Sequence, residues 1–426
     1  MSATREDIPE SSSVSADGDG PPVPVEPASE QRAKSTVPRR MRRYLALIDF
    51  ERAARSHLPH MLYSFVAGGA ETDASVRDNR AAFQEYAFVP RVLASAASRS
   101  TTTTLFGKRY AAPFGIAAMG MGPVVSYRSD LALARAAAAT NIPMMLSGAS
   151  LTALEKVRQV GSTTWFQSYI PGETRRIEAL VDRVVAAGYD TFVLTVDVTV
   201  PANRENNIRN GFSVPLQPNL KLAWDGLTHP KWLFGTALRT LLTDGMPHLE
   251  NMEAVRGPPV LSRNLVRAVG AREELSWRHV ELIRRRFSGR VIVKGILAKE
   301  DARLARESGA DGIVVSNHGG RQLDGAISPL RVLPAIAAEA GDMTVMIDSG
   351  IRRGSDVLKA LALGAKFVFI GRPFMYAAAV GGEPAAARLI QLMSEEIDRN
   401  MAMLGIRDIA SMRADLVTRI GAGSPA

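Results

Sequence analysis

Gly312-Ile313-Val314-Val315-Ser316-Asn317-His318-Gly319-Gly320-Arg321-Gln322-Leu323-Asp324 joins two kinds of sequence. Its first four residues are a short apolar run of the kind that forms a buried strand. The rest is a polar, glycine-rich turn, which presents its side chains at the strand's C-terminal mouth. That mouth offers an imidazole base, His318, and a planar guanidinium, Arg321, three residues apart.

Working outward, the same alternation recurs. Strand-like runs cover Phe114–Ala118, Pro143–Ser147, Thr164–Tyr169, Phe192–Asp197, Val291–Gly295, Gly312–Ser316, Val345–Asp348 and Phe367–Gly371. Amphipathic runs lie between them, including Asp130–Thr140, Arg175–Ala187, Lys299–Ser308, Pro329–Ala340 and Ser355–Leu363, and a long helix over Glu383–Leu404 follows the last. Eight strands with crossover helices predict an α/β fold, a (β/α)8 TIM barrel. The alternative, a doubly wound sheet, calls for a dinucleotide turn after its first strand. The turn Ala118-Met119-Gly120-Met121-Gly122 has no acidic residue on a following strand to hold a ribose.

Two regions fall outside the alternation. Tyr44–Phe88 reads as N-terminal helices, with an apolar stripe at Leu45, Leu47, Ile48, Leu58, Met61, Leu62, Phe65 and Val66, broken at Gly68-Gly69. Gly211 to about Trp277 is a proline-rich insertion after the fourth strand, carrying Trp232, Leu233, Phe234 and Leu238. An insertion at a barrel's C-terminal mouth is expected to act as a lid. Residues 1–40 are rich in Ser, Pro, Glu and Gly and read as a disordered tail, leaving 41–426 as one barrel domain with the lid at 211–277.

Composition narrows the chemistry. The 426 residues, 46% hydrophobic, suffice for one large core. The absence of cysteine excludes disulfides, thiolate metal sites and iron–sulfur clusters, so redox chemistry would need an organic cofactor or haem. No metal site is expected. Lys+Arg is 52 against Asp+Glu 43, a net +9, with Arg39, Arg40, Arg42 and Arg43 together. That cluster reads first as a solvated linker and second as attraction to an anionic membrane surface. No nucleic-acid motif accompanies the charge. No run reads as a membrane span or a signal peptide, so the expected location is cytoplasmic, with peripheral contact at the inner membrane face.

The strand ends form the candidate site. In chain order they bring Ser147, Gln167 with Tyr169, Thr195 with Asp197, Lys294, Ser316 with His318 and Arg321, then Asp348-Ser349-Gly350-Ile351-Arg352-Arg353-Gly354 and Gly371-Arg372. The last two ends look like a phosphate cradle, with the dipole of a helix beginning near Ser355 behind it. Lys294 reads as a cation for a reduced cofactor ring, or as half of a buried ion pair. Asp197 is the natural partner of His318, or else an N-cap. A base beside a carboxylate-binding arginine suits oxidation of a 2-hydroxy acid.

These residues carry a likeness. Ser316–Asp324, together with the runs WFQSY, LTVD, VIVKG, DSGIRRGSDVLKALALGA and FIGRP, resembles the FMN-dependent 2-hydroxy-acid oxidase and dehydrogenase family, from about Leu58 to Gly405. The family includes glycolate oxidase, lactate oxidase, mandelate dehydrogenase and cytochrome-linked lactate dehydrogenases. The resemblance implies FMN as cofactor and a homotetramer. It implies His318 as base with Asp197, Arg321 and Arg204 as carboxylate clamps, Tyr169 near the substrate hydroxyl and Lys294 at the flavin pyrimidine edge. Ser147, Gln167, Thr195 and Ser316 would be further flavin contacts, with Asp348, Gly350, Arg352, Gly371 and Arg372 at the ribityl phosphate and Ala118, Met119 and Gly120 over the ring. The chain departs from the pattern at Phe65, where the family has a carboxylate-binding tyrosine, at Ala118-Met119 for Pro-Thr, and at Ala149 for a gating aromatic. These departures imply a roomier pocket and a substrate larger than glycolate. The electron acceptor, oxygen, a quinone or a cytochrome, is left open. An FMN-barrel isomerase and a non-catalytic flavin-binding protein are the competing readings.

Overall fold

The computed structural model describes residues 37–170, 172–213, 217, 220–262 and 272–420. Eight parallel strands close a barrel: β1 (Phe114–Ile116), β2 (Met144–Ser147), β3 (Thr164–Ser168), β4 (Thr191–Thr195), β5 (Arg290–Ile296), β6 (Gly312–Val315), β7 (Thr344–Ile347) and β8 (Phe367–Ile370). β8 pairs with β1, Val368 opposite Phe114, which completes the ring. All eight strands expected from the sequence are present, each within two residues of its expected ends. These runs are apolar on both faces because helices cover the outside and side chains fill the inside.

The pleat explains the position of the site. Met145, Trp165, Val193, Ile292, Val314, Met346 and Phe369 point into the barrel and form its inner core. Two residues further along each strand the same face carries Ser147, Gln167, Thr195, Lys294, Ser316, Asp348 and Gly371. The apolar layer plugs the barrel, with Trp165 and Phe369 in ring contact at 5.3 Å, and the next layer is polar. Tyr169, Asp197 and His318 stand one pleat further out.

Three helices precede the barrel: α1 (Leu47–His57), α2 (His60–Ala67) and α3 (Ala74–Gln84). Of the expected apolar stripe, Leu47, Leu58, Met61, Leu62 and Val66 are buried, but Leu45 and Ile48 are exposed. Leu45 precedes α1, whose inward face is set by Leu47, Phe50 and Ala54 at helical spacing. The long C-terminal helix (Arg372–Leu404) packs on α1 and on the helix Ser129–Ala139. It breaks at Gly382, whose φ of 57° and ψ of −138° are non-helical, just before Pro384. Residues 1–36 of the expected tail lie outside the described residues. Residues 37–40 are described, and Arg39–Met41 form a 3₁₀ turn with Met41 buried. The segment between β4 and β5 holds short helices at Glu205–Arg209, Leu220–Thr228 and Pro230–Trp232, a π-helical stretch at Leu233–Leu238, and helices at Arg239–Thr243 and Trp277–Arg286. Trp232 is buried and donates its indole N–H to the Val124 carbonyl at 3.0 Å, which ties the insertion to the barrel.

α3 is locked to the loop after β6 by a reciprocal amide pair. Asn79 Nδ2 donates to Asn317 Oδ1 at 2.8 Å, and Asn317 Nδ2 donates to Asn79 Oδ1 at 2.7 Å, both side chains being buried. Asn79→Leu removes two buried hydrogen bonds and leaves the Asn317 amide only its longer bonds to the Ile327 carbonyl at 3.3 Å and the Gly320 N–H at 3.1 Å. It is expected to destabilise the protein by about 1–3 kcal/mol, the worth of two buried hydrogen bonds. Denaturant unfolding of the holoprotein checks this; a loss below about 0.5 kcal/mol, no more than an ordinary surface change, would contradict it.

Candidate active site

The barrel's C-terminal mouth opens into a cavity of about 310 Å³. Its wall includes Phe65, Ala118, Met119, Gly120, Gln167, Tyr169, Thr195, Arg204, Lys294, His318, Arg321, Asp348, Gly350, Arg352, Gly371 and Arg372, all singled out from the sequence. Asp197 stands behind His318. Ser147 and Ser316 do not line the cavity. They are buried beneath it, Ser147 Oγ accepting from the Ala149 N–H at 3.1 Å. Ser316 Oγ accepts from Lys294 Nζ at 2.8 Å and from the His318 N–H at 3.0 Å, so it braces both groups.

His318 adopts a positive φ of 57°, and Gly319 and Gly320 follow at 67° and 74°. This left-handed run turns the chain sharply off the end of β6. The Nδ1–H of His318 donates to Asp197 Oδ1 at 2.8 Å. That bond sets the tautomer and leaves Nε2 as the basic nitrogen, 3.4 Å from the Tyr169 hydroxyl. Burial lowers the His318 pKa from its ordinary 6.5; Asp197 opposes this without overcoming it. The imidazole is therefore neutral at pH 7. Burial pushes the Asp197 carboxyl up, but His318 and Lys294 together bring it below its ordinary value, so it stays ionised. Gly295, at φ 113°, makes room for this aspartate: a Cβ there would lie 2.7 Å from Asp197 Cβ.

Lys294 is buried and lies 3.2 Å from Asp348 Oδ2. The ion-pair reading from the sequence is correct, and the pair itself faces the cavity. Burial lowers the ammonium pKa, but Asp348 and Asp197 more than compensate and hold it above its ordinary value. Lys294 is thus a fixed cation.

Arg204, Arg321 and Arg372 cluster without a carboxylate partner among the described residues. Arg204 donates to the Arg321 carbonyl at 3.2 Å and to Gln322 Oε1 at 3.0 Å. Arg372 donates to the carbonyls of Val66, Gly319 and Gly68 at 3.0, 2.9 and 3.0 Å. Arg321 uses only Nη1, on the Gly68 and Val66 carbonyls. Burial first, then Arg204 and Arg372, hold Arg321 well below the ordinary arginine pKa. Such a cluster is stabilised by an anion. Phe65 stacks on Phe212 at 4.3 Å, and the Arg321 guanidinium carbon lies 5.3 Å from the Phe65 ring centre. A π face thus stands where a tyrosine hydroxyl was expected. Gly120 and Ala149 are coupled: a Cβ on Gly120 would come within 2.9 Å of Ala149 Cβ.

The phosphate end differs from expectation in one respect. The helix Gly354–Ala362 has its first amides already occupied. Asp356 accepts from the Arg352 and Arg353 N–H groups at 2.8 and 2.9 Å, and Glu396 from that of Gly354 at 2.7 Å. Those amides are not free to serve a phosphate. What remains is the Arg352 side chain and the backbone around Gly350 and Gly371. Arg352 is pushed down to about 10 by burial, aided by Arg80 and Arg372, and its Nε has no partner. Gln167 Oε1 and Nε2 and Thr195 Oγ1 are likewise buried without partners. Orphaned amide and hydroxyl groups above the plug, with a guanidinium whose Nε is unpartnered at the far end, fit a ring system with polar edges joined to a phosphate. The residues present therefore suit FMN.

Leu249, Met252 and Arg272 also line the cavity without any signal in the sequence that points to them. They lie in the insertion, where no periodicity assigns a side chain to the mouth. No group of acidic residues and histidines suited to a metal occurs among the described residues.

Comparison with known proteins agrees with this geometry. The family of FMN-dependent dehydrogenases matches residues 54–419. (S)-mandelate dehydrogenase of Pseudomonas putida is 37% identical over 374 residues, 88% of this chain and 93% of that protein. An L-lactate dehydrogenase of Xanthomonas euvesicatoria pv. vesicatoria is 38% identical over 380 residues, 88% and 96%. Among solved structures, an (S)-mandelate dehydrogenase described as a monotopic membrane protein superposes with a TM-score of 0.81 at 36% identity, covering 89% of this chain and all of that one. A mandelate oxidase variant with (S)-mandelic acid gives 0.73 at 34% identity, with the same coverage. A barrel whose orphaned groups suit FMN, matched along nearly its whole described length, belongs to the FMN-dependent dehydrogenase family, the oxidoreductases that act on 2-hydroxy acids.

Proposed function

We propose that the protein oxidises an (S)-2-hydroxy acid with a side chain larger than that of glycolate, in the range from lactate to mandelate, to its 2-oxo acid. The observation that carries this reading is the His318–Asp197 pair at 2.8 Å beside arginines that lack a carboxylate among the described residues. The substrate carboxylate binds Arg321 and Arg204, replacing water around charges that the fold leaves unpaired. This seats C2 and its hydroxyl near His318 Nε2 and the Tyr169 hydroxyl. His318 takes one proton, and Asp197 stabilises the imidazolium that forms. FMN, when bound, accepts the two electrons released as the C2 carbonyl forms. Lys294, kept cationic by Asp348, would offset negative charge at the flavin's pyrimidine edge. Gln167 and Thr195 would hold that edge, and Arg352 the phosphate.

An isomerase has no use for two carboxylate clamps beside a base, and a non-catalytic flavoprotein has no use for the His318–Asp197 pair. Phe65 favours a larger substrate. It removes one hydroxyl from the carboxylate site and adds apolar surface next to Phe212.

His318→Gln is expected to slow flavin reduction by about 10²–10⁴-fold while FMN stays bound. In the wild type, kcat/KM should be flat through neutral pH and fall with one proton below pH 6.5, because the folded-state pKa of His318 lies below that value. Stopped-flow reduction across pH checks both. An unaltered rate in the variant, or an acid limb above pH 7, would remove His318 from the mechanism.

The second part of the proposal is peripheral membrane binding. No helix of the described residues is long and apolar enough to cross a membrane. Leu220, Trp224 and Leu227 are exposed along one helix at i, i+4, i+7, and Phe234, Leu238, Leu241 and Leu242 repeat the spacing on the next stretch. Trp224 is 71% exposed and Phe234 66%, and Lys231 and Arg239, both exposed, flank them. Amphipathic surface of this kind binds an anionic interface. The holoprotein is expected to co-float with anionic vesicles, and Trp224→Ser combined with Phe234→Ser to leave most of it soluble. A wild type that ignores vesicles would end this part of the reading.

A further inference from the structure

Arg272 lines the same cavity as the other arginines but has no place in the oxidation described above. It is only 5% exposed. Its guanidinium carbon lies 5.0 Å from the centre of the Tyr169 ring, and that ring is 6.1 Å from the His318 ring, centre to centre. Arg272 therefore stands no farther from the imidazole than these two distances laid end to end.

It stands outside the bonded arginine cluster. Arg204 donates to the Arg321 carbonyl, and Arg321 and Arg372 share the carbonyls of Val66 and Gly68, whereas Arg272 lies against the Tyr169 ring. Among the described residues no oxygen accepts a hydrogen bond from the Arg272 guanidinium and no carboxylate pairs with it. Only Tyr169 opposes the effect of its burial. Arginine does not shed its charge to relieve such a position. A ring face offsets part of the lost hydration, but a guanidinium out of water is satisfied by an anion. Leu249, Met252, Val198 and Met119 line the same cavity. The wall thus combines a cation away from the clamps with an apolar lining suited to a hydrocarbon spacer.

Resting on the proposed oxidation of a 2-hydroxy acid, we propose that Arg272 binds a second, distal carboxylate, so that the preferred substrates are (S)-2-hydroxy diacids. The first carboxylate occupies Arg321 and Arg204, the apolar lining covers the spacer, and the distal carboxylate meets Arg272. The oxidation is unchanged. The C2–H and O–H bonds break and the C2 carbonyl forms; His318 takes one proton, the other hydrogen and the electron pair go to the two-electron acceptor that FMN would supply, and the distal carboxylate takes no part. Arg272 is in this sense a specificity residue.

The test compares (S)-2-hydroxyglutarate and (S)-2-hydroxyadipate with (S)-2-hydroxyhexanoate on the FMN-loaded protein, by kcat/KM for flavin reduction. A second readout is binding of the matching 2-oxo acids, followed by perturbation of the flavin spectrum. The better diacid should exceed the monoacid by at least about tenfold, the worth of one charge-assisted contact. Arg272→Leu should lower that ratio by about tenfold or more in both readouts, and Arg272→Lys should retain part of it. A wild-type ratio near one, or a ratio that survives Arg272→Leu, overturns the inference. If Arg272→Leu does not fold, Arg272→Lys and the wild-type ratio decide. Reduction by the monoacid without preference for a diacid defeats this inference alone; reduction by none of the three, nor by (S)-lactate or (S)-mandelate run beside them, defeats the proposed oxidation as well.

Discussion

Among the described residues six cations, Arg204, Arg272, Lys294, Arg321, Arg352 and Arg372, line one barrel mouth, and Asp348 is the single carboxylate in the same wall. This excess of positive charge in a partly dry cavity is the constraint on which the rest of the site depends. The fold limits the cost by turning backbone carbonyls inward. Val66, Gly68 and Gly319 all accept from arginines, which explains why α2 and the Gly68-Gly69 break pack over the mouth. The carbonyls satisfy hydrogen bonds but do not neutralise charge. The remaining demand is for anions, and a phosphate and a carboxylate are the anions that FMN and a 2-hydroxy acid bring. The same field helps keep His318 neutral, since Lys294 and Arg204 add to the effect of its burial.

The barrel and most of its site are legible in the sequence because both follow one period. A side chain two residues beyond an inward apolar residue must face the same way, so Trp165 places Gln167, Ile292 places Lys294 and Met346 places Asp348. The turn after β6 is legible for another reason: its glycines mark a chain reversal that exposes His318 and Arg321. What the sequence conceals depends on long-range contacts. The carboxylates of Asp356 and Glu396 cap the helix expected to serve the phosphate, and Glu396 comes from the C-terminal helix. The burial of Ser316 beneath Lys294 and His318 was hidden in the same way. Arg272 was invisible because the insertion has no period to relate its residues to the mouth. Leu45 and Ile48 were misplaced because an apolar count does not fix the rotation of a short helix end.

The departures at Phe65, Gly120 and Ala149 act together. Phe65 trades a hydroxyl for a ring face shared with Phe212 and Arg321. Gly120 lies so close to Ala149 that a Cβ added there would come within 2.9 Å of the Ala149 Cβ. These three positions together put a ring face and two small residues in this part of the wall, which is the basis of the substrate size proposed above.

The central claim, that this mouth oxidises 2-hydroxy acids with FMN, is tested most directly by an anaerobic titration of the FMN-loaded protein with the (S) and (R) forms of mandelate and lactate. The account predicts that the flavin band bleaches with an (S) acid, reaching completion near one equivalent per flavin, and stays unchanged with the (R) form. A bound flavin that dithionite reduces but no 2-hydroxy acid bleaches would contradict it.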